Sequence, residues 1–221
     1  LIPAFSLGRT QEIIYMLDKM ANKNLLPPIK IYVDSPLAVN VTNIFLLHPE
    51  CFDDEITRYI HTDPNPFGFN NLIYIKDVET SKTLNNSKDP CIIISAAGMM
   101  NAGRSKHHLF NTIENPHNTI LIVGYCTPGT PGGVLRSGAK TIRLFDEEKI
   151  VRADIKIMDS FSGHGDRDEM LNFIINQKGH VKKIFLVHGE PEVQDHFKQF
   201  LIEKGMGMID IPSMGQEVVL Q

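Results

Sequence analysis

Cysteine is scarce in this chain. There are three, Cys51, Cys91 and Cys126, far apart and with no Cys-x-x-Cys pair. An odd, scattered set argues against a disulfide framework, and the missing pair against a thiolate zinc site. Cys91 and Cys126 stand in or beside apolar runs, where a thiol packs as a small hydrophobe. That usage fits a reducing, cytoplasmic compartment. Long hydrophobic runs are missing too. The longest weakly polar stretch, Cys91 to Met100, falls short of the ~18 residues a membrane helix needs, and no secretion signal is visible. Neither sign of charge dominates: 22 Lys+Arg face 26 Asp+Glu, a formal net charge of -4. Non-specific affinity for nucleic acid comes largely from Lys and Arg, so an RNA- or DNA-binding surface here has to be local. There is no Gly-x-Ser-x-Gly elbow, which leaves a serine hydrolase unsupported. Gly133 to Thr141 resembles a phosphate loop, but Ala139 separates the second glycine from Lys140 and moves the lysine off the phosphates.

What is present is enough for a real core. The 221 residues are 42% hydrophobic, which allows one or two domains. Strand and helix patterns alternate. Arg9 to Ala21 carries Ile13, Met16, Leu17 and Met20 on one helical stripe. Ile29 to Val33 reads as a strand running into the turn Asp34-Ser35-Pro36. Leu37 to Leu47 reads as a helix that stops before Pro49, and Asp53 to Ile60 as a second short one. Leu72 to Ile75 is a strand pattern. Ile92, Ile93 and Ile94 form an unbroken apolar run, as in a strand covered on both faces. A helix is expected from Gly103, carrying Leu109, Phe110 and Ile113, and a buried strand over Thr119 to Val123. This rhythm predicts an α/β fold with a mainly parallel sheet and helices on both faces. Gly124 to Gly138 holds five Gly and two Pro and reads as a loop or a boundary. Beyond it, Val151, Ala153, Ile155 and Ile157 alternate with polar residues, a half-buried strand. Asp166 to Ile175 is a helix opened by the capping box Asp166 and Glu169. Ile184 to Val187 reads as a strand, Glu192 to Glu203 as a helix, and Val218 to Leu220 as a last strand.

Two histidines sit where chemistry tends to sit. His188 follows the apolar run Ile184 to Val187, and a side chain at the carboxyl end of such a strand points into the crevice where α/β proteins bind ligands. A neutral imidazole there is a good zinc or iron ligand, or simply a hydrogen-bonded strand-end residue. His164 lies between Gly163 and Gly165, just before a capped helix. It reads as a general acid or phosphate contact, or as an ordinary loop histidine. Ser95 to Arg104, with Gly98 and Gly103 around a strand-to-helix turn, reads as a set of backbone N–H groups for a phosphate, with Arg104 as a bidentate donor, or as a plain turn. His107 and His108 are adjacent on a helix, diverge, and do not suit joint metal ligation.

Taken together and in order, several segments resemble one family. Phe161-Ser162-Gly163-His164-Gly165-Asp166 and Leu186-Val187-His188-Gly189-Glu190 look like the closing motifs of the β-CASP branch of the metallo-β-lactamase-fold RNA nucleases. Pro3 to Glu12, Tyr32-Val33-Asp34-Ser35-Pro36-Leu37-Ala38 and Ala97 to Arg104 are similar to earlier segments of the same family. The resemblance spans nearly the whole chain. It implies residues 1–148 as a partial β-CASP domain, a mainly parallel sheet flanked by helices. It implies residues 149–221 as the C-terminal portion of a metallo-β-lactamase αββα domain. It also implies two zinc ions that activate water against a phosphodiester of RNA, single-stranded by expectation. His188 becomes a zinc ligand and His164 the histidine beside the scissile phosphate. Gly98, Met99, Gly103 and Arg104 become contacts to the RNA backbone.

One departure matters. The family's His-x-His-x-Asp-His zinc motif is absent among the nine histidines. The chain also begins without an initiator methionine, and the resemblance places its start inside the β-CASP insert. The expectation is therefore a segment of a zinc-dependent ribonuclease, inactive alone because at most one ligand of a site that needs three or four is present. Its partner would be the missing N-terminal half of the same protein. The other expectation, of a different class, is a non-catalytic RNA-binding or assembly module.

Overall fold

The computed structural model describes residues 1–161 and 165–219. The chain forms two compact units, residues 1–162 and 163–221.

The first unit is built on a four-stranded, all-parallel sheet. Its strands are β1 (Ile2–Pro3), β2 (Lys30–Asp34), β3 (Leu72–Ile75) and β4 (Cys91–Ser95), in the order β1-β4-β2-β3. Register is set by Val33 opposite Ile94 and Asp34 opposite Ser95. Strand geometry sends alternate residues to opposite faces. Ile94 joins Ile13, Ile14, Val33 and Ala38 in one core, whereas Ile93 joins Ile75 and Leu84 in another. The isoleucine run is thus covered on both faces, as its sequence predicts.

Helix α1 (Arg9–Asn22) and helix α2 (Pro36–Leu47) supply the first of these cores. Gln11 ties them together, its amide donating to Thr42 Oγ1 at 2.9 Å. Helix α2 is capped by Ser35, whose hydroxyl accepts from the Ala38 N–H. Helix α3 (Asp54–Tyr59) is capped by Asp53, and α4 (Val78–Leu84), which the sequence pattern does not reveal, by Asp77. Helix α5 (Gly103–Thr112) packs with β5 (Thr119–Ile122), and β5 pairs in parallel with β8 (Asp154–Ile157). Leu109, Ile113, Ile120 and Ile122 form the centre of that core.

One helix corrects the reading of the glycine-rich stretch, and a hairpin that the sequence did not mark follows it. Residues Pro131–Arg136 form a short helix, α6, whose N-cap Thr130 accepts from the Gly133 N–H. Residues Thr141–Leu144 and Glu147–Ile150 form an antiparallel hairpin, β6 and β7. The hairpin's turn residues Phe145 and Asp146 adopt positive φ, which their sequence does not advertise. The expected boundary at residue 148 therefore differs from the end of the compact unit. Strand β8 lies beyond residue 148 yet takes its ladder from β5.

The second unit holds α7 (Arg167–Ile174), β9 (Ile184–Phe185), α8 (Pro191–Glu203) and β10 (Ile209–Asp210). The capping box is formed as expected: Asp166 accepts from Asp168 and Glu169 N–H, and the Glu169 carboxylate accepts from Asp166 N–H. Strand β9 pairs in parallel with β10 rather than with Val218 and Val219, which form no strand. Leu201, Met206 and Ile209 are the buried core here.

Candidate functional site

In the first unit, polar chemistry gathers at the carboxyl ends of β2 and β4, where open parallel sheets bind ligands. Asp34 ends β2 and is fully buried. Its Oδ1 accepts from Arg104 Nη1 at 2.6 Å, and its Oδ2 accepts from Ser81 Oγ at 2.5 Å and His108 Nε2 at 2.6 Å. Arg104 and His108 are four residues apart on α5 and so project from one face. Asn85 Oδ1 lies 2.8 Å from His108 Nδ1, and Ser95 Oγ donates to the Asp34 carbonyl. Burial pushes the Asp34 carboxyl up. The hydrogen bonds from His108, Ser81 and Arg104, together with the His108 charge, outweigh it and leave the carboxyl below the usual aspartate range.

The turn Ala96 to Ala102 connects β4 to α5. It is laced by Met100 N–H to Ala97 O (3.0 Å), Ser105 N–H to Ala96 O (2.9 Å) and Gly132 N–H to Met99 O (3.0 Å). Gly103 has φ +69°, and a Cβ there would stand 2.5 Å from the Ala96 carbonyl oxygen, so the position requires glycine. A Cβ on Gly98 would stand 3.4 Å from the Phe5 backbone nitrogen. Of the four residues expected at the RNA backbone, Gly98 and Met99 thus lie in this turn, and Gly103 follows it as the first residue of α5. Arg104 opens the same helix, but its guanidinium reaches Asp34 and the Lys76 carbonyl (2.7 Å). The Asp34–His108 pair is what sequence reading missed. The signal was there, since Arg104 and His108 share a helical face and an aspartate closes the facing strand. Pairing across 74 residues is decided by tertiary packing.

In the second unit, His188 lies three residues beyond β9, is exposed, and takes a left-handed backbone, φ 65°. The strand beneath it is fixed by Leu186 N–H to Asp210 O (2.9 Å) and by the Gln194 amide to Leu186 O (3.3 Å). Met170, Phe173, Ile184, Leu186 and Phe197 line an apolar cavity of about 490 Å³ in this unit. Among the described residues, no group of three or more His, Cys, Asp or Glu could hold a metal ion. A structural or catalytic zinc needs three or four protein ligands, so these residues do not make up a zinc site by themselves. His164 lies outside the described residues. Among those residues, too, no helix is long and apolar enough to cross a membrane.

A parallel sheet with polar side chains converging at its carboxyl edge is shared by a broad class of α/β proteins. Comparison with known proteins narrows it. Residues 10–135 match the model of the Beta-Casp domain, and residues 149–212 match that of the Zn-dependent metallo-hydrolase RNA specificity domain. The chain belongs to the Beta-Casp family. Among curated relatives, it is 33% identical to ribonuclease TTHA0252 of Thermus thermophilus, over 87% of this chain and 43% of that protein. It is 30% identical to an RNase J-like protein of Methanocaldococcus jannaschii, over 86% of this chain and 42% of that one. It is 29% identical to transcription termination factor FttA of Methanosarcina mazei, over 86% of this chain and 30% of that one. The chain spans less than half the length of each of these relatives. The second match begins at residue 149, inside the first compact unit, so the family boundary and the packing boundary do not coincide.

Proposed function

We propose that this chain is the Beta-Casp and RNA-specificity portion of a cytoplasmic, zinc-dependent ribonuclease that hydrolyses phosphodiester bonds of single-stranded RNA. The observation that carries the reading is the order of the two family matches, with His188 exposed on the strand-end turn of the second. The ribonuclease names of two relatives support it.

Within this reading His188 serves as one zinc ligand, and the remaining ligands come from the part of the relatives this chain does not span. Bound zinc would supply an activated water. His164 serves beside the scissile phosphate as the proton donor. The turn carrying Gly98 and Met99, with Gly103 after it, faces the RNA backbone with its N–H groups, and Arg104, bound to Asp34, holds that turn on the sheet. The chain alone is then inactive.

The test joins this chain to the half that carries His-x-His-x-Asp-His and measures zinc content and cleavage of labelled single-stranded RNA. His188→Ala should lower bound zinc. His164→Ala should leave zinc near normal and slow cleavage by ~100-fold or more, the usual scale for a lost proton donor. Loss of zinc in His164→Ala would overturn the assignment of roles. Robust chelator-sensitive cleavage by the pure chain would overturn its inactivity. Tight RNA binding by the inactive chain, with a steep salt dependence, would favour a binding or assembly module instead.

A further inference from the structure

A second concavity in the first unit lies away from the Asp34 cluster, between the C-terminal end of α1 and the segment before β3. It has a volume of about 420 Å³, within the ~300–1,000 Å³ typical of small-ligand sites. Asn22, Asn24, Asp63, Phe69, Asn70 and Asn71 line it. None of its lining residues is cationic, which disfavours a phosphate. Four carboxamides and one carboxylate beside a phenyl ring describe a ligand that is flat, uncharged, and both donor and acceptor along its edge.

The hydrogen bonds already present orient this wall. Asn22 Nδ2 donates to Tyr59 Oη at 2.6 Å and to Asp63 Oδ2 at 2.7 Å, which commits both amide hydrogens and leaves Asn22 Oδ1 as an acceptor. Tyr59 Oη in turn donates to Asp18 Oδ2 at 2.6 Å. Asp18 is fully buried, and its Oδ1 has no hydrogen-bond partner among the described residues. The Tyr59 proton is therefore held inward by the buried carboxylate. Asp63 Oδ1 accepts the Asn65 N–H at 3.0 Å, so both Asp63 oxygens are fixed and each keeps a lone pair. The Asn22–Asp63 side of the cavity accepts, whereas the amides of Asn24, Asn70 and Asn71 can donate as well. An ammonium ion would satisfy only the first set. A nucleobase with an exocyclic amino group satisfies both: carboxylates accept from cytosine N4, and carboxamides pair with adenine N6 and N7. Unstacked bases of single-stranded RNA are held in this way, stacked on an aromatic side chain and hydrogen-bonded along an edge.

We propose that this cavity binds an amino-bearing nucleobase, adenine or cytosine, stacked on Phe69 and read by Asp63 and the asparagine amides. That the base belongs to an RNA strand rests on the ribonuclease reading; the base specificity itself does not.

The test titrates the 221-residue chain with adenosine, cytidine, uridine and spermidine, following amide chemical shifts of residues 21–26 and 63–71. Adenosine or cytidine should shift these signals saturably. Uridine, which lacks the amino group, should bind about tenfold more weakly, the size of one charge-assisted hydrogen bond. Adenosine 5′-monophosphate should bind no more tightly than adenosine. Asp63→Asn keeps the acceptor for the Asn65 N–H and should reduce the preference over uridine several-fold. Asn70→Leu, at an exposed position, should abolish binding without unfolding the chain. Equal binding of uridine, a response to spermidine alone, or no shift in these segments would each overturn the proposal. RNA cleavage is measured separately on the joined protein. A loss of cleavage with nucleoside binding intact refutes only the ribonuclease reading.

Discussion

Replacing Asp34 by asparagine tests what holds the carboxyl edge of the sheet together. The substitution keeps the volume and removes one buried charge. Three donors converge on the native carboxylate: Arg104 on one oxygen, Ser81 and His108 on the other. The amide introduced by Asp34→Asn can keep an oxygen toward Arg104 only by turning its NH₂ toward Ser81 and His108. The hydroxyl must then reverse to accept, His108 must take the tautomer in which Nε2 accepts, and every bond loses the carboxylate charge. Each charge-assisted bond is worth ~1.5–3 kcal/mol and a neutral one ~0.5–1.5. Degrading three of them costs about 3 kcal/mol, in line with the ~3–5 kcal/mol for breaking a buried ion pair from one side. The assay is urea unfolding of the chain followed by circular dichroism, with Asp34→Asn, His108→Leu and the double variant. The pair should show a coupling energy above ~1 kcal/mol, since the residues are in contact. The native carboxyl lies below the usual aspartate range, with its charge favoured by these donors. Its contribution is thus fully present above the unfolded value of about 4 and is lost as pH falls through the folded value. The gap between native and Asp34→Asn proteins should therefore narrow in strong acid. A cost below ~1 kcal/mol at neutral pH, or a gap unchanged in strong acid, would refute this account of the edge.

Other outcomes are expected. Gly103→Ala places a methyl 2.5 Å from the Ala96 carbonyl at a positive φ and should cost ~1–3 kcal/mol, read from the same urea transition. Asp166→Ala removes the acceptor of both first-turn N–H groups of α7. It should lower the stability of the second unit by ~0.5–2 kcal/mol, seen as faster amide exchange in α7 and not in α5. Tyr59→Phe leaves Asp18, whose Oδ1 has no partner among the described residues, without its hydroxyl donor and should cost ~1–3 kcal/mol. Burial holds the Asp18 carboxyl above the usual range, ahead of the Asp63 charge. A raised carboxyl favours the folded state when protonated, and that advantage is lost as pH rises through its folded value. The Tyr59→Phe penalty should therefore be larger at neutral pH than in mild acid; an equal penalty at both would contradict this.

Local chemistry was legible wherever it was dense. The capping box at Asp166 and Glu169, the stop before Pro49 and the two-sided burial of Ile92 to Ile94 follow from neighbours a few residues apart, and each stands in the structure. The segment Gly124 to Gly138 misled because five glycines weigh against helix while Thr130 and Pro131 start one. Cap and proline chemistry act on a single turn and outweigh composition there. The hairpin over residues 141–150 was invisible because its turn is Phe145-Asp146, not one of the glycine-bearing pairs that mark such turns. Of the strand expected at Val218 to Leu220, Val218 and Val219 form none and Leu220 lies outside the described residues; β9 pairs instead with Ile209–Asp210, a two-residue strand too short for a period to show.

By itself, then, the order of residues determined the alternation of strand and helix, the caps, and the motifs that mark the family, because those depend on contacts within a turn or two. Tertiary structure alone decided that Arg104 serves a buried carboxylate, that Asp34 meets His108, and that four asparagines from two separate segments surround one cavity. Such partnerships join residues tens of positions apart. No local rule encodes them, because they arise only when the chain closes on itself and most buried polar groups find a partner.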